Sequence, residues 1–223
     1  MISYTGTLFN DGPVRRVLET AVRARESQGA LDLDDEIRRF VRTSGAADVS
    51  RWLLPVVAVA ALLDHTADLL RSEGAVFFPR EFNERLDKAR DSVPGEDFLR
   101  MLAGRVRTAD QEPDAEFDEL PLTRWEAAAR FPELFGFGAN WIYGGEFPLP
   151  ADSIAAFIEA EHPFCGEAFF RLAADAQAVL VLFPESSALS SNVMRWIPWA
   201  SHDALRQITR SIEGHMRAEH SGP

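Results

Sequence analysis

Apolar residues recur at helical spacing through the first half of the chain, and short polar joints separate the runs. That pattern leaves little room there for anything but packed helices. In "DGPVRRVLETAVRARE" Val14, Val17, Leu18, Ala21 and Val22 make one stripe behind Pro13, with Asp11 as the expected N-cap. "DDEIRRFVRT" sets Ile37, Phe40 and Val41 on one face. "WLLPVVAVAALL", Trp52 to Leu63, is too short for a membrane span of ~20 residues and reads as the core of a buried helix from about Ser50 to Arg71. "PREFNERLDKAR" and "PGEDFLRMLAGRV" open on Pro79 and Pro94 and align Phe82, Leu86 and Ala89, then Phe98, Leu102 and Val106. A helical bundle over residues 1–107 is the expectation.

"TADQEPDAEFDELP", Thr108 to Pro121, interrupts this grammar with six acids, no bases and two prolines. Residues 108–120 are expected to form an acidic connection, and residues 121–223 a second part of different character. "TRWE" from Thr123 has the form of a capping box. "NWIYGGEFPLP" reads as a hairpin turning at Gly144 and Gly145, "AQAVLVLFP" as a buried strand and "NVMRWI" as another. "DSIAAFIEAEH" and "SHDALRQITRSIEGHMRAEH" read as helices. The expected class is therefore α+β and helix-rich: an N-terminal helical bundle packed on a C-terminal part with a small antiparallel sheet flanked by helices.

Charge is uneven. Net charge is -12, and residues 108–223 hold 18 acids against 7 bases. Such a surface repels phosphate backbones, which argues against nucleic-acid binding and favours a cationic protein partner. Arginine outnumbers lysine 22 to 1, a mark of a GC-rich genome more than of phosphate recognition. "MISYTGTLFNDG" lacks the basic start and apolar run of a secretory signal, so a cytoplasmic protein without a membrane span is expected. The single cysteine, Cys165, is read as excluding an internal disulfide and any cysteine-based zinc cluster; no metal or cofactor is assigned.

"RWIPWASHDALRQI" offers the clearest candidate for a ligand pocket. Ser201 and Asp203 start the last helix, and Trp196, Trp199, His202 and Arg195 are left to line a pocket, with Trp141 and Tyr143 facing the same space. Anchoring of the helix start by the two indoles is the structural alternative. "LDLDDE" resembles the Asp-x-Asp-Asp proton donor of class II terpene cyclases, although Asp34 or Asp35 also suits a helix cap. "DHTAD" sets Asp64, His65 and Asp68 on one turn, and with Asp32, Asp34 or Asp35 they would make a carboxylate-rich metal site of the kind bundles build. In "EHPFCGE" His162 precedes Cys165 by three residues, a spacing that suits an activated thiolate or an inert core cysteine. Arg210 with His215, and Arg195 with His202, fit the loose arginine–histidine spacing of helical ribonucleases. Two functions follow as expectations. The first is an interaction or regulatory protein, such as a toxin-neutralising partner, using its acidic C-terminal surface. The second is a small-molecule enzyme or binding protein using the aromatic pocket.

Overall fold

A computed structural model of the protein describes residues 9, 12–46, 55–147 and 149–220. Asp11 and the start of the expected buried helix, Ser50 to Leu54 with Trp52, lie outside the described residues. The chain divides into two compact units, Met1–Ala115 and Glu116–Pro223, a division that falls inside the acidic stretch.

In the first unit, α1 (Pro13–Glu26), α2 (Leu33–Ala46), α3 (Val56–Glu73), α4 (Arg80–Arg90) and α5 (Gly95–Gln111) form the helical bundle that the periodicity predicts. The helices α3 and α5 share the longest face, α2 packs on α5, and α1 packs on α2 and α4. Leu18, Phe40, Leu63, Phe82, Leu99 and Leu102 fill the interior. Phe78 stacks on Phe82 at 4.7 Å and meets Phe9 edge-on at 5.0 Å.

The carboxylates singled out in this unit do not converge. Asp32 caps α2, its Oδ1 accepting from the N–H groups of Asp34 at 2.8 Å and Asp35 at 3.2 Å. Asp34, Asp64 and Asp68 each take an arginine of α5, namely Arg105, Arg107 and Arg100. These are exposed ion pairs that decorate the bundle and contribute little to its stability. Buried Glu36 holds Arg39 at 2.6 Å, and buried Arg42 donates to the carbonyl of Ala115 at 2.7 Å.

The second unit corrects the expected fold class. Among the described residues it has no strand, so the protein is all-α and not α+β. Its elements are α6 (Arg124–Arg130), α7 (Pro132–Phe137) running into a π-helical turn Gly138–Ile142, α8 (Pro150–Glu161), α9 (Gly166–Leu182), the short α10 (Ser186–Leu189) with a π-helical turn Ser190–Met194, and α11 (His202–His220). The run expected as a buried strand is the last half of α9. Phe169, Leu172, Ala176 and Val179 are all buried on one helical face, and that stripe starts before the apolar run and continues through it. Alanines at 174, 176 and 178 favour the helix, and Val179 and Val181 are too few β-branched residues to oppose it. The first half of "NVMRWI" falls in the second π-helical turn, and the expected first strand of the hairpin lies mostly in the first.

Local caps fix the short elements. Thr123 and Glu126 form the capping box that "TRWE" predicts. Asp175 on α9 caps α7 from outside, accepting from the N–H groups of Glu133 at 2.8 Å and Leu134 at 3.4 Å. Buried Asn192 accepts from the N–H of Leu122 at 2.8 Å. The long helices α9 and α11 pack together, and α8 lies against α11.

Candidate metal centre

The residues expected to line an aromatic pocket are placed in contacts typical of a folded core. Trp196 Nε1 donates to the carbonyl of Leu122 at 2.8 Å, and Arg195 lies over the Trp196 ring at 4.9 Å. His202 Nε2 donates to the carbonyl of Phe183 at 2.9 Å. Trp199 packs against Phe137 with ring centroids 5.4 Å apart. Trp141 packs against Phe147 and Phe157, and Tyr143 is 60% exposed. The ring of Tyr143 and the indole of Trp199 both flank Gly138, so these two are brought together. Trp196 and His202 are each tied to a different backbone segment.

Another constellation forms at the end of α11. His162 follows the last residue of α8, Cys165 precedes the first of α9, and His215 and His220 lie in the last two turns of α11. One ligand atom from each of the four lies within 4.8 Å of all the others. Cys165 Sγ is 3.6 Å from His162 Nδ1 and 3.2 Å from His215 Nε2. The imidazole centroids of His162, His215 and His220 are separated by 5.2 to 5.5 Å.

Zinc bonds of about 2.3 Å to sulfur and 2.0–2.1 Å to nitrogen place tetrahedral S···N edges at about 3.6 Å and N···N edges at about 3.4 Å. The Cys165–His162 edge matches this geometry, while the Cys165–His215 edge is about 0.4 Å shorter and must open slightly to hold an ion. The donor set, one thiolate and three imidazoles, suits zinc and neighbouring transition ions and not magnesium or calcium, which take oxygen.

The helix termini supply a matching field. Cys165 stands at the N-terminus of the 17-residue α9, at the positive end of its dipole. His162 and His220 stand at the C-termini of α8 and α11, whose negative ends favour a cation. Cys165 is 1% exposed, His215 is half-buried against the ring of Phe169, and His162 and His220 are exposed. The sulfur is thus shielded, while two of the three imidazoles face outward.

Sequence reasoning finds each of these residues separately and misses the set. His162 with Cys165 reads as a nucleophile pair, His215 reads beside Arg210, and the lone cysteine closes the question of a cysteine-based zinc cluster. It closes only the question of sites needing several thiolates. The available signal is H-x2-C followed by H-x4-H, two pairs within the range of zinc-ligand spacings. It is weakened because residues five apart on an ideal helix point about 140° away from each other.

Comparison with family models, curated proteins and solved structures found no match, so the functional reading rests on these residues. Among the described residues no helix is long and apolar enough to cross a membrane.

Proposed function

We propose that the second unit is a transition-metal-binding module, with zinc the expected ion, and that the ion clasps the end of α11 to the turn between α8 and α9. The observation that carries this reading is the convergence of His162, Cys165, His215 and His220, from two separate stretches of the chain, within 4.8 Å. Four protein donors fill a tetrahedral shell, the arrangement of ions that organise structure; a catalytic zinc keeps one position for water.

Cobalt(II) tests this directly, because a thiolate ligand adds a sulfur-to-metal charge-transfer absorption that nitrogen ligands do not. The intact chain is expected to take up one cobalt ion with that absorption, and Cys165→Ser is expected to lose it while remaining folded. Uptake without the thiolate band would remove Cys165 from the site, and absence of uptake would end the metal reading.

The charge distribution supports a second, compatible reading, recognition of a cationic protein by the acidic half. Residues 116–223 carry 15 acids and 7 bases. Association through such a surface is steered electrostatically and slows steeply with salt. A partner whose association rate is indifferent to ionic strength would contradict it.

A further inference from the structure

The same four residues are arranged to let the ion leave. Ligating histidines usually donate their second ring nitrogen to a carboxylate or carbonyl, which fixes the ring and holds the metal tightly. Here His162 uses Nδ1 and His215 uses Nε2 towards the cysteine, and among the described residues neither far nitrogen has a protein hydrogen-bond partner. His220 is less constrained still, an exposed side chain at the last residue of its helix. An open groove of 510 Å³ between α8 and α11, lined by Ala155, Ile158, Glu159, Ser211 and Glu219, leads to His162 and His215. Its two carboxylates suit the approach of a cation.

Resting on the metal reading above, we infer that the site is a sensor of exchangeable zinc and that its output is the order of the last two turns of α11. Without zinc the unit is expected to stay folded on its own core, since Leu172, Leu205, Ile208 and Ile212 are buried among protein side chains. Residues 213–220 then fray, since beyond Ile212 no residue of α11 is fully buried. Zinc binding draws His215 and His220 onto His162 and Cys165 and orders that segment along the groove. The signal is a helix end that is presented or withdrawn.

Two measurements on the full chain test this. Hydrogen exchange of the metal-free protein should show α9 protected and residues 213–220 nearly unprotected, with one equivalent of zinc slowing the latter by at least about tenfold. Loss of α9 protection in the metal-free protein would make the ion a folding requirement and overturn the sensor. The zinc-loaded protein, challenged with the chromophoric chelator pyridylazoresorcinol, should release its ion within minutes; release over many hours would also overturn it. His220→Ala should still bind one ion, at least about tenfold more weakly, and leave residues 217–220 unprotected. Unchanged affinity in that variant would remove His220 from the device. Failure of the intact chain to bind zinc at all would bring down the metal reading itself, whereas slow release or an unfolded metal-free state leaves that reading standing and removes only the sensor.

Discussion

Gly138 sits so close to the indole of Trp199 that a methyl group there would lie 2.6 Å from Nε1 and 3.3 Å from Cε2 of Tyr143. The exposed Tyr143 ring can shift, but Phe137 already packs against Trp199 and restricts the retreat of the indole. Gly138→Ala is expected to destabilise the second unit by about 1–3 kcal/mol through overpacking, read as a lower midpoint in urea with an unchanged slope. The Trp199 Nε1 group is itself buried and makes no hydrogen bond among the described residues. Trp199→Phe should therefore cost less than its lost area implies, because an unsatisfied donor leaves with the ring. Asn192 is the opposite case: buried, and bonded through Oδ1 to the N–H of Leu122. Asn192→Ala should cost about 1–3 kcal/mol by orphaning that group, measurable in the same titration.

At the scale of elements, the first unit was legible and the second only in part, through its capping box and the helices α8 and α11, for a physical reason that particular helices make plain. In α1 the buried set Val14, Val17, Leu18 and Ala21 alternates with arginines and glutamates, so one face announces itself. In α9 the exposed face is apolar too, with Phe170 and Val181 facing solvent, so the contrast that reveals a helix disappears and its end imitates a strand. The π-helical turns at Gly138–Ile142 and Ser190–Met194 defeat a reading by period because each inserts one residue into the helical repeat. The metal cluster escaped for a related reason: its members come from three elements, and only the fold reveals that the end of α8, the start of α9 and the end of α11 coincide. Short elements depend on caps more than on propensity. Removing the carboxylate that caps α7, by Asp175→Ala, is expected to cost about 0.5–2 kcal/mol, checked by thermal unfolding.

At the scale of the molecule, two units with separate cores invite two transitions. Four of the five tryptophans, Trp125, Trp141, Trp196 and Trp199, belong to the second unit, so indole fluorescence follows mainly the half that carries the metal donors. Zinc at a hundredfold excess over its dissociation constant should stabilise that unit by about 2.7 kcal/mol, provided the unfolded chain does not bind it. The fluorescence transition is expected to move with zinc while a probe placed in the first unit does not. Equal displacement of both would mean that the two halves unfold as one.

The clasp also alters how the chain bears load. Cys165 and His215 are separated by 50 residues, and the ion would bridge them directly. A tug arriving through residues beyond His220 would peel the bare helix away turn by turn, each small rupture exposing the next. With the ion in place the same tug meets coordinate bonds anchored at the start of α9, and they must be sheared together before any turn yields. A single cation would thus change the end of α11 from a zip into a bolt, and a pulling experiment would register it as a rise in the first rupture force.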